Sequence, residues 1–237
     1  MRIGLINPNA TQSMTDAMAR TARDVVAAGT EILPFTAKAG PTAIESYVDE
    51  AYATTQVLDI LRTENTLDGY IIACASDPGL LAARELVTAS VVGIGEAAFL
   101  YATTLAPRFG VLTTMDRAIE QIWRQLASYG LHTRCCSVRA SGIGVLETVD
   151  PAEQQVRSLI EVIQAMVRKD GAEAVVLGCG GMSETAEQLQ EEAGIPVIDG
   201  VRAAATLVEG LVRCRLKTSK HRTLAPPIEV AYIADGG

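Results

Sequence analysis

The stretch Ala174-Val-Val-Leu-Gly178-Cys179-Gly-Gly-Met182 decides the fold of this chain. An apolar run with two β-branched valines leads into a glycine, a cysteine and two more glycines, which is typical of a buried parallel strand that ends in a loop. The polar segment that follows, with Ala186 and Leu189 three positions apart, predicts a helix just after this loop. We therefore expect Cys179 near a helix amino end, where the helix dipole favours the thiolate.

The same design occurs earlier in the chain, where an apolar run ends at Cys74 and a turn with Pro78 and Gly79 follows. Cys74 and Cys179 are 105 positions apart. Two further pairs of segments match at nearly the same offset: residues 2–7 with 108–113, and 91–98 with 196–204. Three matches at one offset predict a duplicated half of roughly 105 residues. Each half then presents one cysteine.

Composition excludes several classes of protein. The chain has 237 residues, 49% of them hydrophobic, and a formal net charge of −8, which argues against a nucleic-acid or anionic-membrane partner. Its apolar runs are shorter than a membrane span, and its amino terminus lacks the features of a signal peptide. The five cysteines are an odd number and form no CxxC spacing, which favours reduced thiols. We expect a cytoplasmic protein.

Hydrophobic periodicity predicts eight βα units, and this alternation is typical of parallel sheets covered by helices. The fold class is therefore α/β. Periodicity alone leaves open one eight-stranded barrel or two four-stranded sheets, and both place ligands at the carboxyl ends of the strands. Asp116 is expected to cap one helix, and Asp150-Pro151 to open another. The three other cysteines are expected to pack in the core: Cys135, Cys136 and Cys214.

Two thiols on opposite sides of one carbon suit stereochemical inversion at an acidic C–H bond. One thiolate removes the proton and the opposite thiol delivers another to the other face, and such transfers are most efficient with a pKa near the operating pH. Backbone N–H groups of the two loops, at Ala75, Ser76, Gly180 and Gly181, are candidates to stabilise an enolate oxygen. The alternative is that both cysteines are buried structural residues, since free cysteine is commonly buried.

Four motifs carry a resemblance to a known family: Ile6-Asn-Pro-Asn9, Cys74-Ala-Ser-Asp-Pro-Gly-Leu80, Val111-Leu-Thr-Thr114 with Arg117, and Leu177-Gly-Cys-Gly-Gly-Met182. The sequence resembles the aspartate/glutamate racemase superfamily over nearly its whole length, and most closely the hydantoin and allantoin racemase branch. The resemblance implies two pseudo-symmetric lobes, each a four-stranded parallel sheet flanked by helices, with the active site in the cleft between them and no cofactor. Lobe 1 would span residues 1–105, completed by the C-terminal segment 206–237, and lobe 2 residues 106–205.

The family pattern also implies roles for individual residues. Cys74 and Cys179 would be the two catalytic bases. The substrate would be lined by residues of the motif loops, namely Asn7, Pro8, Asn9, Ala75, Ser76, Thr113, Thr114, Gly180 and Gly181. Glutamate-specific members carry Asn-Thr after the first cysteine and Thr-His after the second, whereas this chain has Ala75-Ser76 and Gly180-Gly181. These small residues leave room for a flat ring.

We therefore predict a cofactor-independent racemase of 5-substituted hydantoins, with an enolate intermediate, a small molecule as its substrate and a homo-oligomeric assembly. Two alternatives stay open: another reaction of the superfamily (an amino-acid racemase, a diacid isomerase or a decarboxylase), or a non-catalytic protein that binds a small ligand. The roles of three charged residues are also open. Arg117 could bind an anion or form a surface ion pair, while Asp77 and Glu45 could act on the substrate or serve the loops that carry them.

Overall fold

The computed structural model describes residues 1–228, and residues 229–237 lie outside the described part. The strands alternate with helices throughout. The strands are β1 (Arg2–Asn7), β2 (Glu31–Thr36), β3 (Gly69–Ile72), β4 (Ser90–Gly93), β5 (Phe109–Thr113), β6 (Cys135–Ala140), β7 (Ala174–Leu177) and β8 (Val197–Ile198). The α-helices are α1 (Gln12–Val25), α2 (Tyr47–Thr63), α3 (Leu80–Leu86), α4 (Ile94–Leu105), α5 (Ala118–Ser128), α6 (Glu153–Ala165), α7 (Ala186–Ala193) and α8 (Gly200–Arg213).

The strands form two separate parallel sheets of four strands each, in the orders β2-β1-β3-β4 and β6-β5-β7-β8. The two orders are equivalent, and the registers agree: Ile3 pairs with Gly69 in the first sheet as Phe109 pairs with Ala174 in the second. The predicted pair of four-stranded sheets is confirmed, and the single barrel is excluded. In each sheet the two inner strands end side by side, so their carboxyl-terminal loops are neighbours.

The inner strands are buried because helices cover both faces of each sheet. Every residue of β3, β5 and β7 is buried. Two helices also join the sheets: α4 packs against β7 and β8, whereas α8 packs against β3, β4 and α4. At Gly69 in β3, an added Cβ would lie 2.7 Å from Val208 Cγ2 of α8, so glycine permits this close approach. The lobe boundaries at residues 105 and 205 stay a prediction, and part of the segment 206–237 lies outside the described residues.

Two of the predicted helix starts are wrong. Helix α5 begins at Ala118, after Arg117, and no side chain caps it. Helix α6 begins at Glu153 and not at Pro151. Asp150 has a φ of +58°, which places it in a left-handed turn and prevents it from serving as the cap. The Gln155 side chain instead accepts a hydrogen bond from the backbone N–H of Ala152 at 2.8 Å.

The segment after Cys179 also differs from expectation. A 3-10 helix over Gly180–Thr185 comes first, and α7 begins only at Ala186. Cys179 therefore precedes a short 3-10 turn and not an α-helix. Among the other cysteines, Cys135 is buried and Cys136 is half-buried, but Cys214 is exposed at the end of α8, so the prediction of core packing is wrong for Cys214.

Within residues 1–228, no helix is both long enough and apolar enough to span a membrane.

Candidate active site

The two cysteines of the duplicated motifs border one cavity between the sheets. Cys74 lies two residues beyond β3, and Cys179 lies two residues beyond β7. Because β3 and β7 hold equivalent places in their sheets, the two thiols reach the cavity from equivalent loops of the two lobes. The cavity is also lined by residues from both lobes: Asn9, Met14, Ile44, Glu45, Ala73, Ala75, Ser76, Thr113, Thr114, Met115, Ala118, Gln121, Ile122, Val145, Gly178 and Gly180.

Most of the predicted substrate-lining residues border this cavity. They are Asn9, Ala75, Ser76, Thr113, Thr114 and Gly180. Asn7, Pro8 and Gly181 do not border it. Asn7 is fully buried behind Asn9, to which its Nδ2 donates at 2.9 Å, while the Asn9 backbone N–H donates to Asn7 Oδ1 at 3.2 Å. Asn7 therefore positions Asn9, and it is Asn9 that lines the cavity.

The Cys74 thiol sits against its own loop. Its sulfur lies 3.5 Å from the Ser76 hydroxyl. Burial raises the pKa of Cys74 to about 12, although the hydroxyl and the backbone N–H of Ser76 both act to lower it. A negative charge on Cys179 would contribute a smaller rise to the pKa of Cys74.

The Cys179 thiol is paired with a residue from another loop. Thr148 Oγ1 lies 3.6 Å from the Cys179 sulfur and donates a hydrogen bond to the carbonyl oxygen of Val145 at 2.7 Å. Burial raises the pKa of Cys179, and the Thr148 hydroxyl and the Gly181 backbone N–H oppose that rise. Each thiol thus lies next to one hydroxyl group, the half-buried Cys74 beside Ser76 and the buried Cys179 beside Thr148.

We expected the dipole of a following helix to lower the pKa of Cys179. That expectation is wrong, because the net shift of this pKa is upward. Burial dominates because it removes the water that would solvate a sulfur anion. The turn after Cys179 is a 3-10 helix of 6 residues, so few aligned peptide dipoles oppose this effect. Burial thus favours the protonated state of both thiols.

Two features around Cys179 were not predicted from the sequence in this form. Thr148 lies in a 3-10 turn (Val145–Thr148), where no periodic pattern marks it. Glu45, whose role the sequence left open, lines the cavity, and its Oε1 accepts the backbone N–H of Val145 at 2.9 Å. Glu45 therefore links the two lobes beside Cys179, and it raises the pKa of that thiol through its charge. Arg117 is exposed and does not line the cavity.

Within the described residues, no group of three or more His, Cys, Asp or Glu side chains is arranged to hold a metal ion.

Comparisons with known proteins show the family to which the chain belongs. A family model described as Asp/Glu/Hydantoin racemase matches residues 3–208. The chain is 40% identical to a hydantoin racemase of Rhizobium meliloti over 229 residues, which is 96% of this chain and 95% of that relative. It is 38% identical to a hydantoin racemase of Pseudomonas sp. (strain NS671) over 235 residues, with 98% and 94% coverage.

A solved structure gives the same result for the fold. The allantoin racemase from Klebsiella pneumoniae superposes with a TM-score of 0.95 at 43% identity, covering 99% of this chain and 97% of that one. The matches extend across both sheets and both cysteine loops, and they are not confined to one motif. The chain is therefore an isomerase of the racemase type, and it belongs to the Asp/Glu/hydantoin racemase family.

Proposed function

We propose that the protein is a cofactor-independent racemase of 5-substituted hydantoins that uses Cys74 and Cys179 as its two bases. One observation carries this proposal: two thiols from equivalent loops of separate sheets border a single cavity. The names of similar proteins, hydantoin racemase and allantoin racemase, support the choice of substrate class.

The proposed chemistry needs only proton transfers. One cysteine, as the thiolate, takes the proton from C5, and the electron pair of the C–H bond is delocalised onto the adjacent ring carbonyl as an enolate. The opposite thiol then gives its proton to the other face of C5 and becomes the thiolate. The C5–H of a hydantoin is acidic enough for this role because it lies next to a carbonyl group. The two cysteines exchange roles for the other enantiomer.

The cavity supplies groups that suit a flat ring with N–H donors and carbonyl acceptors. The polar residues of its lining include Asn9, Glu45, Thr113, Thr114 and Gln121. These side chains offer both donors and acceptors. Met14, Ile44 and Ile122 form an apolar part of the lining that suits the carbon skeleton of a C5 substituent.

The test is exchange and racemisation in D2O. Enantiopure hydantoins with a ureido, an alkyl and an aromatic C5 substituent are incubated with the enzyme, alongside enantiopure aspartate and glutamate. We expect loss of optical rotation together with deuterium at C5 for at least one hydantoin and for neither amino acid. Absence of exchange with every hydantoin, or turnover of an amino acid alone, would contradict the proposal.

The proposal retains two further predictions, a cytoplasmic location and a homo-oligomeric assembly. The second is supported by large apolar side chains at the surface: Tyr47, Val48 and Tyr52 of α2 are 52%, 65% and 62% exposed, and Leu81 of α3 is 65% exposed. Exposed apolar groups on neighbouring helices are typical of protein interfaces. Sedimentation velocity should give a species larger than 25.0 kDa, and a strictly monomeric protein would contradict this part.

A further inference from the structure

Asp77 follows Cys74 by three residues and is buried in an unusual backbone conformation. Its φ is +51°, a left-handed value that costs energy in a residue other than glycine. Its carboxylate accepts the backbone N–H groups of Gly95 (2.9 Å) and Glu96 (2.7 Å), at the amino end of α4. Asp77 therefore caps a helix to which it does not belong.

The same carboxylate also bonds to the second lobe. The Tyr129 hydroxyl donates to Asp77 Oδ2 at 2.7 Å, and Gln125 Nε2 donates to the same oxygen at 3.0 Å. Gln125 Nε2 donates in addition to the carbonyl oxygen of Ala75 at 2.8 Å, directly beside Cys74. The Cys74 loop is thus held from both lobes by one buried carboxylate and the groups around it.

The Cys179 loop is attached in a similar way. Here the carboxylate belongs to the helix cap, and the loop supplies the hydroxyl group that bonds to it. Asp199 is the N-cap of α8 and accepts the backbone N–H groups of Val201 (3.0 Å) and Arg202 (3.1 Å). The Ser183 hydroxyl, four residues after Cys179, donates to Asp199 Oδ1 at 2.6 Å. Both Asp199 and Ser183 are buried.

The duplication relates the two links. Gly93 precedes α4 as Asp199 precedes α8, and these two residues are 106 positions apart. Asp77 and Ser183 are also 106 positions apart. A Cβ at Gly93 would lie 2.0 Å from Asp77 Oδ1, so the Asp77 carboxylate occupies the place that a Gly93 side chain would take. The carboxylate comes from the loop in one lobe and from the helix cap in the other. What the two lobes share is the attachment of the cysteine loop.

We propose that Asp77 and Asp199 are positioning residues, each of which fixes one cysteine loop and thereby the proton transfer at one face of the substrate. This inference rests on the proposed two-cysteine function. Replacing Asp77 by Asn sets an amide N–H₂ against the donors that surround it, which displaces the Cys74 loop. The Cys179 loop has its own attachment and keeps its place. The consequence of each substitution is therefore one-sided.

Exchange of the C5 hydrogen with retention of configuration measures proton transfer at each face of the substrate separately. A thiolate that removes the C5 proton can exchange that proton with D2O and return deuterium to the same face, without any help from the opposite cysteine. Each enantiomer presents its C5–H to one cysteine, and the Cys74→Ser and Cys179→Ser variants identify which. The assay follows deuterium at C5 of each enantiopure substrate for Asp77→Asn and Asp199→Asn.

We expect Asp77→Asn to slow exchange of the enantiomer served by Cys74 by about 10- to 100-fold and to leave the other within about twofold, since a displacement of about 1 Å has effects of this size. Asp199→Asn should show the opposite preference. Tyr129→Phe removes one donor and keeps the carboxylate, so it should slow the Cys74 side to a smaller extent, and it carries the test if Asp77→Asn does not fold. Glu209→Gln is the matched control, because Glu209 is a buried carboxylate that accepts the Ala27 N–H at 3.1 Å and does not line the cavity.

The outcomes separate the two proposals. Equal slowing of both enantiomers by Asp77→Asn, in step with lost thermal stability, or no slowing at all, would overturn the positioning role. If instead either cysteine variant racemises hydantoins at the wild-type rate, the two-cysteine function itself fails. One-sided effects in the two aspartate variants, with none in Glu209→Gln, support the inference.

Discussion

The Thr148 hydroxyl lies 3.6 Å from the Cys179 sulfur, although the two residues come from different loops. This hydroxyl lowers the pKa of Cys179, because it can turn from the carbonyl oxygen of Val145 and donate its one hydrogen bond to the thiolate. We expect Thr148→Val to reduce kcat/KM by about tenfold, which corresponds to about 1.4 kcal/mol for one lost hydrogen bond. Thr148→Ser keeps the hydroxyl and should retain most of the activity. Equal losses in the two variants, or a larger loss in Thr148→Ser, would show that the hydroxyl is not the group that matters.

The two glycines after Cys179 should differ sharply in their tolerance of alanine. A Cβ at Gly181 would lie 2.1 Å from Thr148 Oγ1, within the buried interior. A Cβ at Gly180 would lie 2.7 Å from the thioether sulfur of Met18, a flexible side chain that can move. We expect Gly181→Ala to lower the free energy of unfolding by about 1–3 kcal/mol and Gly180→Ala by less than about 1 kcal/mol. Denaturant unfolding measures both, and the reverse order would contradict the packing described around Cys179.

The pH dependence of racemisation follows from the burial of both thiols. Burial raises the pKa of Cys74 to about 12 and also raises that of Cys179. Catalysis needs one thiolate, and well below the pKa the thiolate fraction grows tenfold per pH unit. We therefore expect kcat/KM to rise with pH from about pH 6 to beyond about pH 9, the upper part of the range for ordinary thiols. A plateau already reached near neutral pH would show that the free enzyme holds a stabilised thiolate.

The charge of Glu45 should affect the pH profile of kcat/KM. Its charge raises the pKa of Cys179, and its Oε1 accepts the Val145 N–H at 2.9 Å. Glu45→Gln removes the charge and keeps an acceptor oxygen, so the rising limb of kcat/KM should move to lower pH. Glu147→Gln is the control, because Glu147 is exposed and accepts a neighbouring backbone N–H, that of Gly144, at 3.2 Å. An equal shift in the control, or a shift to higher pH in Glu45→Gln, would refute this electrostatic role.

Much of the fold could be predicted because its signals are local. The apolar runs before Cys74 and Cys179 form β3 and β7, and the turn with Pro78 and Gly79 separates β3 from helix α3. The duplication, visible as repeated motifs, predicted that the two cysteine loops are equivalent. Parallel order then follows from the alternation of strands and helices.

The remaining features depend on contacts between distant segments. Thr148 reaches Cys179 from an irregular turn that no periodicity marks, and Glu45 meets Val145 across 100 positions of sequence. The predicted start at Pro151 is wrong because Asp150 adopts a turn conformation that its sequence neighbours do not specify. The direction of the thiol pKa depends on burial, which is a property of the folded cavity. Sequence pattern alone gave only the dipole effect and missed the larger one.

Deuterium exchange at C5, in D2O, tests whether the two thiols act on opposite faces of the substrate. It is measured for Cys74→Ser and Cys179→Ser with each enantiomer of a hydantoin that the wild-type enzyme racemises. We expect each variant to lose racemisation by at least about 10²-fold, the usual range for removal of an acid–base group. Each variant should still exchange the C5 hydrogen of one enantiomer, and the retained enantiomer should differ between the two. Racemisation at the wild-type rate by either variant, or retention of the same enantiomer by both, would contradict the claim that the two thiols act on opposite faces of one carbon.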